Sequence, residues 1–311
     1  MSIPVDPELG PDLEPQLDAE LSPELDLAEL GARPNRFTRL RSFGGGWMFW
    51  IGVVVLVGFV FVAIFAPLLA PYDPTAIDLS NALAPPSPEH WLGTNASGQD
   101  TFSRLIYGAR TSLIGPLAVV IFSTVFGILL GLVAGWRGGW ADMVISRTLD
   151  ILFAFPGLLL AIIAVALFGK GLVAPVIAMS IAYSPFVARL VRSLVIQAKS
   201  RPYVQAYAVQ GFGPIHIASR RVLPNVSPTV LAQSTLNFGY ALLDLAALSF
   251  LGLGVQPPTP DWGAMINEAQ GAVLQGEPLS AVAPSLAVII TVVAFNIVGE
   301  EIGDRIAGRD K

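Results

Sequence analysis

Ser200-Arg-Pro-Tyr-Val-Gln-Ala-Tyr-Ala-Val-Gln-Gly-Phe-Gly-Pro-Ile-His-Ile-Ala-Ser-Arg-Arg-Val-Leu-Pro-Asn225 is a polar stretch set between long apolar runs. Its residues predict two short helices and a bend. Ser200 is a candidate cap for the first helix, Pro202 suits its opening turn, and Gly211 supplies the positive-φ residue that commonly ends one. Gly213-Pro214 restarts the chain, and Pro224 is expected to end the second helix. Tyr203, Ala206, Tyr207 and Gln210 fall on one face of the first helix, and Ile215, Ala218 and Val222 align on the second. Each piece has about ten residues, about half of what crosses a bilayer. The pair is therefore expected outside the hydrocarbon, where another molecule can dock.

The surroundings require a membrane. Of 311 residues, 53% are hydrophobic and 13% charged, and the mean hydropathy is +0.64. An ordinary soluble domain carries about a quarter charged residues. The absence of cysteine excludes disulfides, thiolate metal sites and a cysteine nucleophile, and two histidines offer little metal chemistry. Nine acids and no base stand in residues 1–31, so the net charge of -5 misleads: without them, 18 bases face 14 acids. That acidic, proline-containing segment lacks the apolar area to fold and is expected to be disordered. It has no positively charged start or small-residue cleavage site, so it does not read as a signal peptide.

Arg33, Arg36, Arg39 and Arg41 precede a first span over Trp47–Ala66, with Trp47 and Trp50 at the interface. The segment from 71 to 110 is read as a proline-rich outer loop that closes on an amphipathic stretch, Thr101–Arg110. Span two is placed at Ser112–Trp136, with Gly127, Gly131 and Gly135 at the spacing of four that permits close helix approach. Span three, Val144–Phe168, is expected to kink at Pro156. Span four is Leu172–Gln197, span five Ser227–Leu251 and span six Ala281–Val298. The expected class is an all-α polytopic membrane protein with six transmembrane helices. It divides into an N-terminal segment 1–46, a first helix 47–70, the outer loop 71–110, a five-helix core 111–304 holding the loop 200–224, and a tail 305–311.

Charge sets the orientation, because short cytoplasmic segments are enriched in Lys and Arg. Placing both termini inside puts fifteen bases in the cytoplasm and leaves Arg104, Arg110 and Lys170 outside. It also exposes residues 198–224 to cytoplasmic proteins.

With that placement, the stretch resembles the EAA motif of ABC importer permeases: Glu-Ala-Ala, three residues, Gly, nine residues, Ile, one residue, Leu-Pro. Gln205-Ala206-Tyr207, Gly211 and Leu223-Pro224 keep the spacing; Gln205, Tyr207 and Arg221 depart from the pattern. Further segments are similar to the C-type subunit of dipeptide and oligopeptide permeases: Phe65-Ala-Pro-Leu-Leu-Ala-Pro-Tyr-Asp-Pro74, His90-Trp-Leu-Gly-Thr94, Ser103-Arg-Leu-Ile-Tyr-Gly-Ala-Arg-Thr-Ser-Leu113, Leu248-Ser-Phe-Leu-Gly-Leu-Gly-Val-Gln-Pro-Pro-Thr-Pro260 and Ala294-Phe-Asn296. The likeness runs from residue 47 onward and implies the type I ABC importer permease fold in a bacterial inner membrane. It implies a half-channel that pairs with a homologous B-type permease, sits on two ABC ATPase subunits and receives solute from an extracytoplasmic binding protein. ATP and Mg would be bound by the partners, with no cofactor or metal in this chain and no nucleic acid. Tyr203, Val204, Gln205, Ala206, Tyr207, Gly211, Phe212 and Ile215 would couple to the ATPase. Where the family usually carries a glutamate this chain has Leu245, next to Asp244.

Asp244, inside span five, either faces an aqueous path or pairs within the bundle. Asp150 reads as a cap or a partner to Arg147, Arg189 and Arg192 as side chains reaching to the inner surface, and His216 as polar surface. Phe168-Gly-Lys-Gly171 lacks the preceding glycine and following hydroxyl of a phosphate loop, and no hydrolase motif occurs, so no enzymatic activity is expected. The same machinery could carry nickel, glutathione or another small solute. A stand-alone ion-coupled transporter would instead show an internal repeat and charged midplane residues.

Overall fold

The computed structural model describes residues 46–306, and within them the chain is helical apart from loops and one isolated bridge between Thr94 and Asp100. The acidic segment 1–31, the four arginines before span one, Arg309 and Lys311 lie outside the described residues. Helix α1 (Trp47–Ile64) is followed by a single turn, α2 (Ala66–Leu69). Then come α3 (Thr101–Arg137), α4 (Gly139–Ala154), α5 (Gly157–Phe168) and α6 (Val173–Lys199). The stretch quoted first forms α7 (Pro202–Val209), α8 (Pro214–Ile217) and a π turn, Ala218–Val222, that runs into α9 (Leu223–Phe250). Helices α10 (Trp262–Glu268), α11 (Gln270–Leu274) and α12 (Leu279–Ile306) complete the described chain.

Four of these, α1, α3, α6 and α12, are long and apolar enough to cross a membrane singly. The α4–α5 pair is apolar enough only when taken together, as a broken span or a re-entrant loop. Helix α9 has the length, 28 residues and ~42 Å at 1.5 Å per residue, but is less apolar, so four or five of the six expected spans stand out by length and apolarity. Two sequence expectations are corrected here. Span three is not one kinked helix: α4 and α5 meet at 82°, because Phe155 is extended before Pro156, which cannot donate into a continuing ladder. Thr101–Arg110 is the beginning of α3, not the end of a loop, since Asp100 caps it by accepting from Ser103 N at 2.7 Å.

The closest packing joins α3 to α6. A Cβ on Gly127 would lie 2.5 Å from Val187 Cβ, and one on Gly131 2.5 Å from the Ala188 carbonyl oxygen. Gly135 meets the Arg192 carbonyl at 2.9 Å in the same way. The three glycines bring the backbones together over two turns, as their spacing predicts. Around this seam lie three apolar clusters: one about Met179 and Leu248, one about Val191 and Val222, and one about Leu242 and Trp262.

At the end remote from α7, Arg104 organises the loops. It is 1% exposed. Its Nη1 donates to Gln99 Oε1 at 2.7 Å, to the Pro74 carbonyl at 3.1 Å and to the Pro258 carbonyl at 3.2 Å, and its Nη2 meets Glu268 Oε2 at 2.8 Å. Nearby, Ser112 Oγ donates to Asp261 Oδ2 at 2.8 Å and accepts from Trp262 N at 2.9 Å. Burial pushes the Asp261 carboxyl above its ordinary range, although hydrogen bonds from Ser112 and Ala264 oppose the shift.

Gly131→Val should prevent accumulation of folded protein, since none of the three atoms met, Ala188 O, Val191 Cβ and Arg192 N, is a flexible side-chain end; Gly58→Val, with open space at its Cβ, should behave as wild type in detergent size-exclusion profiles. Arg104→Ala strands Glu268 beside emptied loops and should cost about 3–5 kcal/mol of stability, read as a lowered thermal midpoint.

Candidate functional site

The loop between α6 and α9 is fixed to the bundle by apolar contacts. Val204 of α7, Ile217 of α8 and Val222 of the π turn are buried in one cluster with Val187, Val191 and Val195 of α6 and Val226 and Val230 of α9. Ser200 does not cap α7 as expected: its Oγ donates back to the Gln197 carbonyl at 2.8 Å, and Arg201 occupies the cap position without a side-chain bond. Pro202 opens α7 as the sequence suggests.

Gly211, at φ +84°, ends α7 in a Schellman arrangement. Its N–H donates to the Ala208 carbonyl at 3.0 Å, and Phe212 N donates to the Tyr207 carbonyl at 3.2 Å. The apolar contact that accompanies this motif is the edge-to-face pair of Tyr207 and Phe212, with centroids 5.5 Å apart. Phe212 in turn stacks on His216 at 5.1 Å. Arg221 closes the series, its guanidinium carbon 4.4 Å from the Tyr207 ring centroid. Tyr207 and Arg221, two positions that depart from the EAA pattern, are thus partners.

The second short helix is not independent. Pro224 does not end it; the chain passes through the π turn, where Leu223 N bonds the Ala218 carbonyl five residues back, and enters α9 with Pro224 in the first turn. Proline lacks an N–H and is tolerated there because a helix start has free donors anyway.

The predicted docking face is divided. Val204 is buried, Tyr203 and Tyr207 are half-buried against the bundle, and Gln205, Ala206, Gly211, Phe212 and Ile215 are exposed. Val209, absent from the face that the aromatic spacing predicts, is 89% exposed, and Ile215 is 81% exposed. With Phe212 they form an apolar tip. Its signal is present in the sequence as an aliphatic residue four positions after Gln205, on the side away from Val204. Arg201, Arg220 and Arg221 are exposed around it, and residues 198–224 contain no acid.

Beside this loop the bundle is pinned by ions. Arg192 clasps Asp142 of α4 through Nε at 2.5 Å and Nη2 at 2.7 Å, and Arg189 meets Asp150 at 2.8 Å while lying 4.2 Å over the Phe153 ring. Both arginines are therefore paired with α4 and do not simply reach for the surface. Asp150 pairs with Arg189, not with Arg147.

Asp244 lies in a cleft of about 540 Å³ between the α4–α5 elbow, α6 and α9. Tyr183 OH donates to its Oδ2 at 2.9 Å. Gln233, Asn237 and Tyr240 line the same cleft, so one face of α9 is polar over three turns. Leu245, the next residue and so about 100° round the helix, packs into the apolar cluster that α9 forms with α3, α5 and α6. No group of three or more metal-ligating side chains occurs among the described residues.

Comparison with known proteins gives a consistent picture. Residues 127–309 match the model of the binding-protein-dependent transport system inner membrane component, and residues 40–86 match that of the N-terminal transmembrane domain of oligopeptide transport permease C. A dipeptide transport system permease protein of Alkalihalophilus pseudofirmus is 41% identical over 254 residues, covering 82% of this chain and 83% of that one. A di/tripeptide transport system permease protein of Pseudomonas aeruginosa is 41% identical over 259 residues, 81% and 85% of the two chains. A glutathione transport system permease protein of Pectobacterium atrosepticum is 40% identical over 254 residues, 81% and 84% of the two.

Arg221→Ala should remove a cation–π contact worth about 0.5–1 kcal/mol at an exposed site and loosen α7. Faster amide hydrogen exchange across residues 202–209, with α3 and α6 unchanged, is the expected readout.

Proposed function

Because the chain belongs to the binding-protein-dependent transport system inner membrane components, as a C-type permease of the dipeptide and oligopeptide ABC importers, we propose that it forms half of a pathway for short peptides. The other half is a homologous B-type permease. The observation that carries this reading is the polar face of α9, where Gln233, Asn237, Tyr240 and Asp244 share a cleft whose rim includes the exposed Tyr240, Phe155 and Leu243. Lipid would not tolerate a carboxylate and two amides there, so water and a second protein subunit must cover them. The relatives' names supply the solute class: dipeptides, di- and tripeptides, and glutathione, itself a small peptide.

The apolar tip of Val209, Phe212 and Ile215, with Gln205 and Ala206 beside it, is the docking surface for one of two ATPase subunits, which bind ATP and Mg and do the hydrolysis. Tyr203, Val204, Tyr207 and Gly211 hold the tip in place. A groove receiving an apolar helical knob suits this face, and the surrounding arginines favour an acidic rim on the partner. With the basic segments inside, both termini and this loop are cytoplasmic, and an extracytoplasmic binding protein delivers solute to the opposite end.

Reconstitution with the B-type subunit, both ATPases and the binding protein should give ATP-dependent uptake of a labelled dipeptide. Val209→Asp combined with Ile215→Asp should lower uptake tenfold or more while the subunit still inserts. Uptake by the chain alone under an ion gradient, or full uptake by the double variant, would overturn the reading.

A further inference from the structure

Asp244 is a carboxylate without a countercharge. Among the described residues it joins none of the ion pairs, and its hydrogen bond comes from the neutral Tyr183 hydroxyl to Oδ2. Two other acids that face α6, Asp142 and Asp150 of α4, are each matched by an arginine. A second orphan lies on the same face. Gln233 Nε2 donates to Asn237 Oδ1 at 3.1 Å, which leaves Asn237 Nδ2 buried with no acceptor, in a side chain only 2% exposed. Buried polar groups left unpaired are costly, and such a group in a native structure calls for a partner. The cleft thus presents one free negative charge and one free donor.

Their separation narrows the ligand. Asn237 and Asp244 are seven residues apart, ~10.5 Å along a helix rising 1.5 Å per residue. An extended chain covers that distance in about three residues at 3.3–3.6 Å each. The cleft volume, about 540 Å³, suits a molecule of that size. Phe186 and Tyr240 add ring faces that favour a cation, whereas Phe153, 4.6 Å from Phe186, is already covered by Arg189.

We propose that this cleft is a subsite of the transport path for the amino-terminal end of a short extended peptide, whose ammonium meets Asp244 and whose carbonyl, two or three residues on, accepts from Asn237 Nδ2. The assignment rests on the reading of the solute as a peptide. It gives α9 a recognition role in addition to any selection by the binding protein.

The chain contains no cysteine, so a single thiol reports the site without background from this subunit. Leu243→Cys places one in the cleft, and Leu274→Cys, at an 88% exposed position outside it, serves as reference. In the assembled transporter, reaction rates are measured with cationic trimethylammonioethyl methanethiosulfonate and anionic sulfonatoethyl methanethiosulfonate. The cation-to-anion rate ratio at position 243 should exceed that at 274 by about tenfold, fall to the reference value with Asp244→Asn and return with Asp244→Glu. Trialanine, imported with ATP, should slow labelling at 243 only. A ratio at 243 equal to the reference, a ratio indifferent to Asp244→Asn, or a thiol unreactive in the assembled complex would overturn the subsite. Should Asp244→Asn fail to assemble, the comparison of 243 with 274 in the wild-type background still decides. A persistent charge preference in a transporter that imports no trialanine would overturn the peptide reading while supporting a cation site for another ammonium solute.

Discussion

Everything in this permease depends on how closely α3 and α6 approach. Gly127, Gly131 and Gly135 let the α6 backbone come within van der Waals distance of the α3 axis, and two of the three meet a backbone carbonyl where a side chain would sit. In hydrocarbon, helices gain nothing by burying apolar area from lipid, so intimate packing of small residues supplies the attraction. With that seam fixed, α6 can present Arg189 and Arg192 to α4 on one side and Tyr183 to α9 on another. The same helix carries Val191 and Val195 into the cluster that holds α7.

The two candidate regions, the exposed loop and the Asp244 cleft, are linked by one continuous element. α8, the π turn and α9 run without interruption from the exposed tip to the Asp244 cleft. From Leu223 to Asp244 is 21 residues of helix, ~31 Å at 1.5 Å per residue. Val204, Ile217 and Val222 bind the tip to α6 and α9 together, so a force on the tip would bear on packed helices and not on a loose loop. Such a rigid element is what a hinge or shear transition between two pathway states requires. The π turn is the one place in this lever where the ladder is widened, and Pro224 directly follows it.

The amphipathic and apolar patterns carry much of the architecture. Spacing alone places the long apolar helices, the glycine seam and the stop at Gly211, but it sets Ile215 on one face with Ala218 and Val222, which are buried while Ile215 is exposed. Errors arise where two local signals compete. Pro224 reads as a terminator although the same residue type suits a helix start, and only the packing of the flanking Val222 and Val226 against α6 and α7 decides which applies. Aromatic spacing points to one face of α7, whereas Val204 takes the interior and leaves Val209 outside.

The membrane class and the family are legible in one dimension, because hydropathy and motif spacing are properties of contiguous residues. The pairings are not, since they join residues distant along the chain: Asp142 with Arg192, Asp150 with Arg189, Tyr183 with Asp244, and Arg104 with Pro74, Pro258 and Glu268. Four quoted family segments, from Phe65 to Leu113 and from Leu248 to Pro260, converge on the region of Arg104 and Ser112. Their order is visible along the chain. Their purpose, a common cap over one end of the bundle, exists only once the helices have brought them into hydrogen-bond reach.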